Sequence, residues 1–247
     1  MAHNAIVLTS GLTGSSVLAG LISRGGYWLG DSTMKKEDYD TYENMELVQL
    51  NQKLIKEAGY SGNYLLDFSP EAIQRIGGLH GQIDPRPYQE FLKKCNEHRP
   101  WIWKDPRLWL TIRYWQNLLD LNDCRFISLT RGLGQLWVSA TLRRQIRSYG
   151  YSKTYERRIQ ASVLDFFKET HSPYLNVRYE GLIRHPAATL NQLNAHLDTQ
   201  LTVEDLKSVY YKPLYENPKP SFKNYVKAVL IYLKNYSERV DAAVKPE

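Results

Sequence analysis

The chain has 247 residues, 43% hydrophobic and 23% charged, which suits one sizeable core and excludes disorder as the main state. Two cysteines, Cys95 and Cys124, exclude a disulfide scaffold and a four-cysteine zinc site. The net charge of +6 is uneven: residues 1–123 hold 13 Lys+Arg and 15 Asp+Glu, residues 124–247 hold 19 and 11. Residues 125–158 carry eight bases (Arg125, Arg131, Arg143, Arg144, Arg147, Lys153, Arg157, Arg158) against one acid, Glu156. A solvated helix face accounts for any single arginine; the cluster fits an acidic partner.

The first apolar run, residues 5–8, is too short for a signal-peptide core, and no Lys or Arg precedes it. No stretch reaches the roughly 20 apolar residues of a membrane span. The expectation is a soluble, cytoplasmic protein. Residues 5–8 read as a buried parallel strand. A small, polar loop follows, Thr9-Ser10-Gly11-Leu12-Thr13-Gly14-Ser15-Ser16, and then helical spacing at Val17, Leu18, Leu21 and Ile22. Such a turn aims backbone N–H groups and the helix dipole at one point, a site for phosphate or sulfate. An ordinary strand-to-helix turn capped by Thr13 or Ser15 reads equally well. The Walker lysine is missing: Ser15 follows Gly14, and no lysine occurs in the first 34 residues.

Residues 64–66 and 101–103 are the next strand candidates. The latter runs into Lys104-Asp105-Pro106-Arg107, where Pro106 disfavours helix at Asp105. Strand ends of this kind carry functional groups in open α/β sheets. Residues 125–130 read as a fourth strand ending at Arg131-Gly132, with Ser139 about two turns into the helix that follows. Residues 174–177 read as a fifth. Pro186 opens an amphipathic helix marked by Leu190, Leu193 and Leu197. Residues 222–236 read as helical. The alternation predicts an α/β fold with a central, mainly parallel sheet flanked by helices. One domain spans 1–247, its core at about 5–200 and a helical extension at about 201–247.

Five segments in order resemble the sulfotransferases that use 3′-phosphoadenosine 5′-phosphosulfate (PAPS), in particular bacterial and carbohydrate types. SGLTGSSVLAGLI (10–22) looks like their 5′-phosphosulfate loop, and DTYENMELVQLNQKLI (40–55) like their Y-E-N segment and helix. WIWKDPRLWLT (101–111) is close to W-x-W-K-D-P-R. FISLTRGLGQLWVSATLRR (126–144) looks like the 3′-phosphate motif, and VRYEGLIRHPAATLNQL (177–193) like Y-E-x-L-x-x-x-P-x-x-x-L. The resemblance implies a P-loop-like three-layer fold. It implies sulfuryl transfer from PAPS to a hydroxyl or amine of a small-molecule, carbohydrate or lipid acceptor, leaving adenosine 3′,5′-bisphosphate and needing no metal. The six histidines show no metal-ligand spacing. No interleaved aromatic platform suggests nucleic acid.

By the same resemblance, Gly11, Leu12, Thr13, Gly14, Ser15 and Ser16 hold the 5′-phosphosulfate. Arg131 and Ser139 hold the 3′-phosphate, and Arg143, one turn beyond Ser139, is either a further contact or a surface residue. Glu43 is the candidate general base, His80 the runner-up. Asp40 and Glu43 also have the spacing of a capping box. Leu12 stands where the family has a cation; Lys104 is the candidate substitute. The alternatives are a weak or inactive nucleotide-binding relative and a P-loop nucleotide kinase. No R-x-G-x-x-G-like loop is evident, so Lys219, Lys223 and Lys227 are candidate nucleotide contacts.

Overall fold

The computed structural model describes residues 3–37, 39–209 and 222–243. Strand β1 (Asn4–Leu8) leads through the polar loop into α1 (Ser15–Arg24). A hairpin of β2 (Thr33–Lys35) and β3 (Asp40–Asn44) precedes α2 (Met45–Glu57), α3 (Pro70–Gly78) and α4 (Arg86–Glu97). Then come β4 (Ile102–Lys104), α5 (Leu108–Trp115), β5 (Cys124–Thr130), α6 (Leu133–Leu142) and the 22-residue α7 (Tyr149–Thr170). Strand β6 (Tyr174–Arg178) is followed by α8 (Tyr179–Arg184), α9 (Pro186–Leu197), α10 (Val203–Val209) and α11 (Phe222–Lys234).

The four strands β4-β1-β5-β6 form one parallel sheet. Every residue of β1 is buried, because helices cover both faces. Alternation then divides the core in two. Ile6 and Leu8 point with Trp101, Trp103 and Phe126 toward α2–α5 and α7. Ala5 and Val7 point with Ile102, Ile127 and Val177 toward α1 and α8–α10. This is the three-layer α/β architecture expected from the alternation of strands and helices.

Two local expectations are corrected. Residues 64–66 are a turn, with the Leu66 and Asp67 amides both donating to Asn63 O at 2.7 Å. Side chains of α7 and its approach take the carbonyls a strand would pair: Tyr155 Oη donates to Tyr64 O (2.7 Å), Tyr151 Oη to Leu66 O (2.9 Å) and Arg147 Nη1 to Leu65 O (3.1 Å). The capping box is the second. Asp40 lies in β3, where its carboxylate accepts from Thr33 Oγ1 (2.6 Å) and Tyr42 N (2.7 Å) and so fastens the hairpin. The helix cap is Asn44, whose Oδ1 accepts from Glu46 N and Leu47 N.

Trp103 is the middle residue of β4, the shortest strand of the four-stranded sheet, and is 1% exposed. Its ring packs on Trp101 (4.6 Å), Trp115 (4.8 Å) and Phe91 (5.5 Å). Trp103→Ala is predicted to lower stability by about 3–5 kcal/mol, because the rings around the void belong to three different elements and collapse only partly. Urea unfolding of the two proteins measures this.

Candidate active site

Parallel strands end on the same edge of the sheet, so the residue after each strand faces one crevice. After β1 comes the loop 9–14, at the end of β4 Lys104, after β5 Arg131, and after β6 Tyr179. These groups line a cleft of about 220 Å³ with Gly11, Leu12, Gly14–Ser16, Glu43, Arg107 and Arg143. Chain order 4-1-5 places β1 between its two later partners, so its loop lies at the point where connections diverge to either side.

The loop is held open by backbone conformation. Gly11 and Gly14 have φ of +89° and +86°, and Leu12 between them also lies in the left-handed region, at +55°. A Cβ on Gly14 would come within 2.0 Å of the Tyr179 ring, so this contact requires glycine. Gly14 caps α1 by backbone alone. Its carbonyl accepts from Val17 N at 3.1 Å, while the Ser15 and Ser16 amides have no backbone acceptor among the described residues. Thr13 turns inward, 1% exposed, and shares a short hydrogen bond with Thr9. The loop therefore offers amides and the Ser16 hydroxyl rather than the Thr13 side chain.

Across from the helix terminus, Lys104 and Glu43 form a buried ion pair, Nζ to Oε1 2.6 Å. Their side chains are 3% and 10% exposed. The ammonium also donates to Thr41 O (3.2 Å) and Ser16 Oγ (3.4 Å), so all three of its protons have acceptors. Lys104 thus brings positive charge to the start of α1, where Leu12 supplies none. Leu12 contributes its carbonyl instead, which accepts from Arg131 Nη1 at 3.1 Å. Arg131 lies 4.7 Å over the Tyr179 ring, and its Nε donates to Gln135. Tyr179 lies in the segment 177–193, but no local pattern marks its role, because Gly14 and Arg131, against which it packs, are both distant in the chain.

The turn after Lys104 is locked from behind. Asp105, fully buried, accepts from Arg107 N (2.9 Å), Arg107 Nη1 (2.8 Å) and Asn51 Nδ2 (2.9 Å), and Asn51 accepts from Trp115 Nε1. Arg107 lies 4.7 Å over the Tyr64 ring. Lys36, Lys104, Arg107, Arg131 and Arg143 line the cleft against one acid, Glu43. Of the eight bases in 125–158, only Arg131 and Arg143 are among them. Ser139 is half-buried and outside the cleft lining; its carbonyl accepts from Arg143 Nη1 at 3.1 Å. His80 is exposed beyond α3, its ring 6.5 Å from Tyr114, and does not line the cleft. Lys223 and Lys227 are exposed on α11, and Lys219 lies outside the described residues. Among the described residues no cluster of His, Cys, Asp and Glu could hold a metal, and no helix is long and apolar enough to cross a membrane.

Known structures share this arrangement of strands and helices. The sulfotransferase domain of the olefin synthase from Synechococcus PCC 7002 superposes with a TM-score of 0.57 at 20% identity, over 98% of this chain and 95% of that one. The fold is that of the sulfotransferase domains. A second such domain, from the curacin biosynthetic pathway, gives a TM-score of 0.53 at 15% identity, over 88% of this chain and 81% of that one. No family model matches the chain, and no curated protein matches it by sequence.

On this sulfotransferase fold the one acid of the basic segment has a defined place. Glu156, 6% exposed on α7, accepts from Ser10 Oγ at 2.6 Å and so ties α7 to the loop. Burial pushes its carboxyl above the ordinary 4.5, against the pull of the Ser10 hydroxyl and Arg147. A carboxyl raised in the fold adds stability that is full below the unfolded value and lost as pH rises through the folded one. Glu156→Gln keeps an acceptor for Ser10 and removes this titration. Wild type is therefore predicted to lose melting temperature relative to the variant as pH rises above about 4.5. Thermal melts across that range decide it; parallel curves would contradict the assignment.

Proposed function

We propose that the protein transfers a sulfuryl group from PAPS to an acceptor hydroxyl or amine. The observation that carries this reading is the meeting, in one cleft of a sulfotransferase fold, of an open helix N-terminus with a buried carboxylate–ammonium pair. The donor fits what lines the cleft. Free amides at Ser15 and Ser16, the Ser16 hydroxyl and Lys104 suit the phosphosulfate end. Arg131 suits a phosphate, which a guanidinium grips with paired N–H donors. Ser139 and Arg143 are the further candidates for that end. The adjoining cleft of about 630 Å³, lined by Gly132–Gln135, Tyr149 and Tyr225, has room for a nucleoside.

The donor supplies an activated sulfuryl group bound to a phosphate oxygen. Glu43 accepts the proton of the acceptor hydroxyl as the new S–O bond forms. Lys104 faces the phosphate oxygen that receives the electrons of the breaking S–O bond. The pair starts with balanced charge. Proton gain at Glu43 and charge gain at the phosphate then leave the phosphate as the anionic partner of Lys104. This division gives Lys104 the role that the residue at position 12 lacks.

Wild type is predicted to bind adenosine 3′,5′-bisphosphate without added Mg²⁺, and Arg131→Ala to weaken that binding about 10–100-fold, the worth of a charged hydrogen bond. Isothermal titration calorimetry reads both. No heat of binding from folded wild type would end this reading.

A further inference from the structure

Helix α11 carries two different faces. Ala228, fully buried, packs with Trp137 and Val138 of α6, joined by Val229 and Tyr232. The Tyr232 and Tyr225 rings lie 5.6 and 6.5 Å from that of Trp137. This face is covered at Ala228, with Tyr225 half-exposed at its edge. The other is not: Phe222 is 83% exposed, Leu230 61%, Leu233 62% and Val226 38%. The spacing i, i+4, i+8, i+11 puts these four on one side of the helix, a continuous apolar stripe rather than scattered residues.

A row of charge runs beside the stripe. Lys223, Lys227 and Lys234 each follow a stripe residue in sequence, so they lie about 100° around the helix from it, and all three are exposed. Residues 222–234 contain no Asp or Glu. Two copies pairing along this stripe would offer the lysines no acid on either helix to meet. A negatively charged surface meets the lysines while the apolar stripe enters it.

We propose that α11 is a docking helix for an anionic lipid surface, lying in the headgroup plane with Phe222, Val226, Leu230 and Leu233 inserted. Tyr225, on the other face of the same helix, lines the 630 Å³ cleft, so docking leaves that cleft beside the lipid surface rather than in it. The proposal stands on α11 alone and does not depend on sulfuryl transfer.

Co-sedimentation of the full chain with vesicles tests it, using phosphatidylcholine alone and phosphatidylcholine mixed with phosphatidylglycerol. Wild type should bind the mixed vesicles at least about tenfold more tightly than the neutral ones, and salt should weaken that binding. Lys223→Gln and Lys227→Gln should each weaken it about fivefold. Leu230→Asp with Leu233→Asp should abolish it; circular dichroism matching wild type shows that the variant has folded. Failure of folded wild type to bind mixed vesicles overturns the proposal, as does equal binding to both vesicles or unchanged binding by the double aspartate variant. A dimer in analytical ultracentrifugation that the double aspartate variant dissolves, without vesicle binding by wild type, would assign the stripe to a second copy.

Discussion

The site depends on a buried ion pair. Lys104 and Glu43 meet at 2.6 Å where almost no water reaches either. Removing one partner from such a pair leaves an uncompensated buried charge, at a cost of about 3–5 kcal/mol. A hydrophobic pair of similar volume would satisfy stability as well, so stability alone does not explain the pair. Its position does. The ammonium joins three elements that share no local sequence: strand β4, the hairpin through Glu43 and Thr41, and helix α1 through Ser16. Charge is thereby held at the mouth of a helix whose own loop brings no cation.

Much of the molecule keeps that pair in place. Strand β4 has only three residues, and its register with β1, Val7 opposite Lys104, ends where the crevice begins. The aromatic cluster around Trp103 anchors the strand on one face. Beyond Lys104 the chain turns at once, and Asp105 is gripped by Arg107 and Asn51. Asn51 in turn is held by Trp115, so α2, α5 and the turn form one polar network inside the core. Asp105 and Asn51 are both partnered there, which rigidifies the turn, while Arg107 Nε is buried with no hydrogen-bond partner among the described residues. On the far side of the loop, Tyr179 fills the space that a side chain at position 14 would need. The loop is thus pressed between the β4 turn and the start of α8.

The sheet was legible from sequence because parallel strands buried on both faces are rich in apolar residues, unbroken in residues 5–8 and interrupted in 125–130 by Ser128. The strand ends at Lys104 and Arg131 were legible for the same reason, with Pro106 marking the turn. Short or charged elements were not. The hairpin strands β2 and β3 are short and mostly polar, β3 burying Thr41, Glu43 and Asn44, and Asp40 with Glu43 imitates a helix cap. Residues 64–66 have the apolarity of a strand but no strand to pair with. Helix α7 keeps its apolar spacing at Tyr155, Ile159, Val163 and Phe166, but Lys153, Glu156, Arg157 and Arg158 load its first half with charge and mask the pattern. Contacts between distant residues, Glu156 with Ser10 and Tyr179 with Gly14, depend on the finished fold and leave no local pattern. The charge arithmetic located Arg131 and Arg143, but not Lys36 and Arg107, which come from the half of the chain with net negative charge.

The proposed division of labour makes Glu43 the proton acceptor and Lys104 its charge partner. Glu43→Gln preserves shape and an acceptor for Lys104 while removing the base. Single-turnover transfer of labelled sulfate from PAPS, with acceptors surveyed on wild type first, compares the two directly. The account predicts that the variant retains bisphosphate binding but loses transfer by about 10²–10⁴-fold, the usual worth of a general base. Transfer by Glu43→Gln at the wild-type rate would contradict it.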